Sequence, residues 1–281
     1  EVREFLIETY AKALIDWDID GFKLDFIGSF SAKEDTKLTL ENARDYSSVN
    51  EAVDRLMTDI TNRLTGLKPD ILIEFRQSYI GPLMRKYGNM FRAGDCPNSY
   101  HYNRVRITDL RLLSGNTAVH SDMQMWHPED PVESAALQLI HTIFSVPQLS
   151  VRIDKIPEDH KEMIRFWNSY WLKNRSVILD GKFVATNPAN NYTQLSTSDD
   201  SKQIIAVYTN ELVNPLGSID KLDIINGKML SGIIVNIPKN LSGQNYIIYD
   251  CKGKTTEKGK LKHGLQLLYV PAAGIVQIES Y

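Results

Sequence analysis

Cysteine is scarce in this 281-residue chain: Cys96 and Cys251 are the only two, far apart in sequence. That excludes a disulfide framework, and with neither Cys-x-x-Cys nor His-x-x-x-His spacing anywhere a structural or catalytic zinc site is not expected. An excess of one charge is lacking too. The 32 Lys and Arg are set against 35 Asp and Glu, a formal net charge of -3, and the basic residues are interspersed with acids. No basic footprint for nucleic acid results. No apolar run approaches the roughly 20 residues of a membrane helix, so no membrane span is expected. There is no Gly-x-Ser-x-Gly elbow and no glycine-rich phosphate loop, which disfavours serine hydrolases and nucleotide enzymes. The chain opens on Glu1-Val2-Arg3, without Met or the pattern of a signal peptide. We therefore read it as a piece of a longer protein. Its compartment stays open, with a periplasmic or secreted setting favoured over the cytoplasm.

What is present is ordinary globular composition, 42% hydrophobic and 24% charged, in a chain long enough for two cores. Apolar positions at Val2, Phe5, Leu6, Tyr10, Ala13 and Leu14 predict a helix over 1–17, and a short strand with Lys23 and Asp25 follows. Helix over 47–64, strand over 71–75, short helix over 83–87 and strand over 90–93 continue the alternation. A further strand over 117–120, a helix over 133–144, a strand over 146–151 and a helix over 158–173 complete it. Such an order implies parallel strands covered by helices. After Arg175 short β-rich runs separated by Gly, Asn and Lys predict an antiparallel β-sandwich. The expected domains are 1–173 and 174–281, with Trp167, Tyr170 and Trp171 docking the last helix on the sandwich.

Three strand ends gather chemistry. In Gly21-Phe22-Lys23-Leu24-Asp25-Phe26, alternation puts Lys23 and Asp25 on one face, where the lysine is expected to lie close to the aspartate and hold it, and Phe22, Leu24 and Phe26 on the other, which packs under the helices. An ion pair at a strand end accounts for these charges as well as catalysis does. The C-terminal end of a barrel strand, where active sites sit, favours catalysis. Glu74 and Arg76 repeat the arrangement on the next strand. On the one after, Arg92 precedes Gly94-Asp95-Cys96-Pro97, where glycine lets the backbone turn and Asp95 face inward; capping a turn is the competing role for that aspartate. Asp25 and Asp95 are thus candidates for the paired carboxylates of glycoside hydrolysis. Beyond the next strand lie Asp122 and Trp126, the latter a platform for a sugar or a core aromatic.

At these residues the sequence resembles the α-galactosidases of glycoside hydrolase family 36 and their barrel relatives, including the α-glucosidases of family 31. The resemblance covers roughly residues 1–173. It implies that the chain holds strands four to eight of a (β/α)8 barrel, followed by the β-sandwich. It further implies Asp25 as nucleophile, Asp95 as acid/base, and Lys23, Glu74, Arg76, Arg92, Asp122 and Trp126 as substrate-binding residues. Two departures stand out: the Cys- and Gly-rich run that follows the Glu in family 36 is missing after Glu74, and Asp95 does not sit in a Ser-Asp-Asp motif. The implied activity is a retaining exo-α-galactosidase acting on an oligosaccharide or glycoside, with no cofactor and no metal. An α-glucosidase, an α-N-acetylgalactosaminidase and a noncatalytic carbohydrate-binding fragment are the alternatives, and association into a homo-oligomer is among the expectations.

Overall fold

The computed structural model of the chain describes residues 1–281 except 43, 78, 79, 98, 280 and 281. Two compact units emerge, Glu1–Gly94 with Leu110–Val119 and Asp95–Asp109 with His120–Tyr281.

In the first unit, α1 (Val2–Trp17), β1 (Gly21–Lys23), α2 (Val49–Leu67), β2 (Leu72–Arg76) and β3 (Met90–Arg92) follow in order, and β4 (Ala118–His120) closes the sheet. The strand order is β1-β2-β3-β4. The first two pairings are parallel, with Lys23 opposite Glu74, Glu74 opposite Met90 and Arg76 opposite Arg92. Helix α2 starts where the Ser48 side chain accepts from the Glu51 backbone N–H, the first half of a capping box. Its Leu56, Met57, Ile60 and Leu64 recur at helical spacing and are buried. On β2, Ile73 and Phe75 are buried, so Glu74 and Arg76 project from the opposite face of the sheet. Gly21 permits the tight pairing of β1 with β2: a Cβ there would stand 2.1 Å from the Leu72 carbonyl oxygen. The segment expected as a short helix at 83–87 is a 3-10 turn, Pro82–Lys86.

The second unit contains the start of α3 (Tyr100–Ser114), then α4 (Val132–Ile140), α5 (Glu158–Lys173) and α6 (Arg175–Asp180). Where a strand was expected over 146–151 the chain makes two isolated parallel bridges, His120 with Val146 and Gln124 with Leu149. Pro147 between them has no N–H to give a ladder. Helix α6 intervenes before the β-rich part. There, β5 (Lys182–Thr186), β6 (Gln194–Ser198), β7 (Lys202–Val207), β9 (Lys221–Asn226), β11 (Asn245–Tyr249), β12 (Thr255–Lys260) and β14 (Ile275–Glu279) form a seven-stranded sheet. Its order is β12-β11-β14-β9-β7-β6-β5. The shorter sheet is β13 (Gly264–Leu268), β10 (Ile233–Ile237) and β8 (Leu212–Val213). Pairing is antiparallel as expected in most of the ladder, but β7 with β9 and β8 with β10 are parallel. The reason lies in the connection: the chain leaves β7, crosses to the other sheet as β8 and returns as β9, the kind of crossover that parallel neighbours require.

Alternation along β7 builds two cores. Ile204 and Ala206 point to the helices, where Phe144, Met163, Trp167, Tyr170 and Ile178 are buried with Leu195, Ile225 and Ile275, and Trp171 packs at the margin. Ile205 and Val207 point the other way, to Val213, Ile233, Val235, Ile237 and Leu268 of the smaller sheet. Within the helix-facing layer the Lys202 ammonium lies 2.7 Å from Asp223, and Tyr170 donates to the same carboxylate at 2.8 Å. No helix among the described residues is long and apolar enough to cross a membrane.

Candidate active site

The first unit brings five of the predicted residues together at the carboxyl ends of β1, β2 and β3. Lys23 and Glu74 are register partners, and Lys23 Nζ lies 3.7 Å from Glu74 Oε1. Arg92, only 5% exposed, places Nε 3.9 Å from the same oxygen. Asp25 was expected to be held by Lys23. The structure gives it Arg76 as a partner, with Nε donating to Oδ1 at 2.8 Å, and the Phe26 backbone N–H donates to Oδ1 at 2.8 Å as well. Two cations thus bracket Glu74 and a third meets Asp25, an arrangement that holds the carboxylates in a fixed direction.

Phe26 is the residue of this group that alternation assigned wrongly. It was expected beneath the helices with Leu24, and Leu24 is indeed buried. Phe26 instead takes φ 57°, in the left-handed region, and turns its ring out to 67% exposure. That conformation costs a bulky residue roughly 1–2 kcal/mol. The Arg76 guanidinium sits 5.7 Å from the ring centroid. Nothing in the hexapeptide announces the reversal.

The second unit holds the remaining three. Asp95 is exposed in the loop before α3, and Arg106 of α3 donates to its backbone carbonyl at 2.8 Å. Asp122, expected at a sugar, is fully buried: its carboxylate accepts the Cys96 backbone N–H. Asn103 bonds both backbone groups of Asp122, donating to its carbonyl at 3.1 Å and accepting from its N–H at 3.0 Å. Neither Arg106 nor Asn103 was singled out in the sequence, since helix residues with polar ends carry no local mark of such a contact. Trp126 is half-buried and its indole N–H donates to His160 Nδ1 at 3.0 Å. His160 Nε2 lies 3.0 Å from the Asp130 carbonyl, so the hydrogen sits on Nε2 and the ring fixes the indole plane. Asp25 belongs to the first unit and Asp95 to the second.

No protein-family model matches the chain, and no curated protein matches it in sequence. Solved structures do match in fold. An α-amylase from Anoxybacillus aligns with a TM-score of 0.64 at 9% identity, covering 100% of this chain and 63% of that one. A family 36 α-galactosidase from Geobacillus stearothermophilus aligns with a TM-score of 0.58 at 14% identity, covering 100% and 38%. A family 27 β-L-arabinopyranosidase from the same organism gives 0.53 at 12% identity, covering 98% and 62%. The fold is therefore that of glycoside hydrolases, and the chain spans less than two thirds of each of these proteins.

Proposed function

We propose that this chain carries the catalytic centre of a retaining α-glycosidase, acting as an exo-α-galactosidase on terminal α-galactosides. The observation that supports it best is the clustering of Lys23, Asp25, Glu74, Arg76 and Arg92 at the carboxyl ends of three parallel strands. Arg92 and Glu74, whose side chains are 6% and 16% exposed, are held there at a desolvation cost that a purely structural sheet end has no need to meet. In this reading residues 1–173 are the catalytic part of the barrel and 174–281 the accessory β-domain. Asp25 attacks the anomeric carbon while Asp95 donates its proton to the leaving glycosidic oxygen. Asp95 then takes a proton from water, which opens the covalent glycosyl–Asp25 ester and restores both residues with the anomeric configuration kept. Lys23, Glu74 and Arg92 bind sugar hydroxyls, and Trp126 stacks on the sugar. The reaction uses no cofactor.

Hydrolysis of 4-nitrophenyl α-galactoside followed by proton NMR tests this directly. The first-formed sugar should be the α anomer, and Asp25→Asn should abolish turnover. A β anomer would overturn retention, and binding without turnover by the wild-type chain would mark a carbohydrate-binding fragment. A specificity for α-glucosides is the second reading, favoured by the fold match to an α-amylase at a TM-score of 0.64. A panel of aryl α-glucosides, α-galactosides and α-N-acetylgalactosaminides decides between them.

A further inference from the structure

The peptide unit that follows Asp95 is held at both of its polar groups. Its carbonyl, the Asp95 oxygen, accepts from Arg106 at 2.8 Å, and its N–H, that of Cys96, donates to the Asp122 carboxylate. Because the peptide is planar, fixing those two groups fixes the plane. The plane in turn sets the torsion on the carboxyl side of Asp95, and with it the direction in which the Asp95 side chain leaves the loop. Pro97 stiffens the far side by restricting Cys96. The clamp is itself anchored. Asp122 is fully buried, and Asn103 grips both backbone groups of Asp122. Asn103 and Arg106 lie on one helix, α3, which starts immediately beyond the loop. A buried carboxylate is expensive to keep unless it is used. Here it is spent on a backbone amide next to the proposed acid/base, and full burial leaves it no surface to offer a sugar.

We propose that Asp122 and Arg106 are positioning residues that aim the Asp95 carboxyl at the leaving-group oxygen, rather than groups that touch the substrate. This rests on the reading of Asp95 as acid/base. A misplacement of a catalytic group by about 1 Å is enough to cost on the order of 100-fold in rate. The loss falls where proton donation matters, on substrates with poor leaving groups.

The test compares kcat/KM for a methyl α-galactoside and a 2,4-dinitrophenyl α-galactoside in the full chain, in Asp122→Ala, Asp122→Asn, Arg106→Met and Asp95→Asn. Asp122→Ala and Arg106→Met should lose at least about tenfold more on the methyl glycoside than on the activated one, with a flattened basic limb in the pH–rate profile. Asp122→Asn keeps an acceptor for the Cys96 N–H and should recover most of the loss. Equal losses on the two substrates in Asp122→Ala and Arg106→Met, while Asp95→Asn still discriminates between them, would overturn the positioning role alone. No discrimination in Asp95→Asn would overturn the acid/base reading beneath it. Crystal structures of wild type and Asp122→Ala read the clamp without turnover: an Asp95 carboxyl displaced by about 1 Å or more supports it, and one that stays in place overturns it.

Discussion

Arg76 Nε donates to Asp25 Oδ1 at 2.8 Å, tying the end of β2 to the turn beyond β1. A charge-assisted hydrogen bond of this kind contributes about 1.5–3 kcal/mol, and partial exposure of the Asp25 side chain argues for the low end. Arg76→Met should therefore lower kcat/KM for aryl α-galactosides about tenfold, and Arg76→Lys should recover little, because a point charge does not reproduce the planar donor fork. Steady-state kinetics on the two variants decide it. An unchanged kcat/KM in Arg76→Met would remove the arginine from the site.

The position of Asp25 depends on a glycine four residues before it. A methyl group at residue 21 would meet the Leu72 carbonyl oxygen at 2.1 Å, far inside contact distance, and that oxygen belongs to backbone that cannot swing aside. Gly21→Ala should separate β1 from β2, break the register of Lys23 with Glu74, and lower both thermal stability and activity. The distinctive outcome is faster amide hydrogen exchange at Leu72 and Leu24, whose N–H groups bond across this pair to Asp20 and Glu74. Retained protection there in the variant would show that the strands tolerate the methyl.

Local pattern reached the parts of the site that local rules build. Ile73 and Phe75 alternating with Glu74 and Arg76 revealed which face of β2 carries charge, and helix α5 begins at Glu158 and ends at Lys173 as Pro157 and the acidic first turn indicate. What pattern did not reach depends on distant partners or on backbone reversal. Asp122 read as a substrate-binding acid beyond a strand until its contact with Cys96, 26 residues away, showed it buried. Phe26 read as core until its positive φ turned it outward. The parallel pairing of β7 with β9 follows from β8 joining the opposite sheet, a choice made by tertiary packing and invisible in either strand's own residues.

Lys202 and Asp223 form an ion pair in which Lys202 is 7% and Asp223 0% exposed. The lysine also donates to Asn174 Oδ1 at 2.8 Å, and burial together with the Asp223 charge drives the Tyr170 hydroxyl well above its ordinary range, keeping it a donor. Removing one partner leaves the other charge buried alone, which costs about 3–5 kcal/mol. Asp223→Ala should lower the urea midpoint accordingly. The double variant Lys202→Met with Asp223→Asn should lie closer to wild type, since it removes both charges, nearly keeps the volume and leaves Tyr170 an acceptor. A single variant as stable as wild type would show that water reaches the pair.

The last prediction concerns acid sensitivity. His141 is buried between the rings of Tyr100 and Tyr208, at centroid distances of 4.4 and 4.6 Å. Its Nδ1 lies 3.1 Å from Arg104, whose guanidinium stacks 4.0 Å over Tyr208, and its Nε2 lies 3.0 Å from the Gly227 carbonyl. Nε2 therefore carries the hydrogen and Nδ1 accepts from the arginine. Burial first, and then the Arg104 charge, hold the His141 imidazole well below its ordinary value of 6.5; the same two causes act in the same direction on His101. Above pH 6.5 both folded and unfolded chains carry a neutral His141. As pH falls through that value the unfolded chain takes up a proton that the folded chain refuses, so stability declines by up to about 1.4 kcal/mol per pH unit for this residue. Urea midpoints measured between pH 7.5 and 5.5 should fall toward the acid end. His141→Gln, which can still accept from Arg104 or donate to Gly227 without titrating, should start lower at pH 7.5 and show a flatter decline. A variant whose decline is as steep as that of the wild type would place the acid sensitivity elsewhere in the chain.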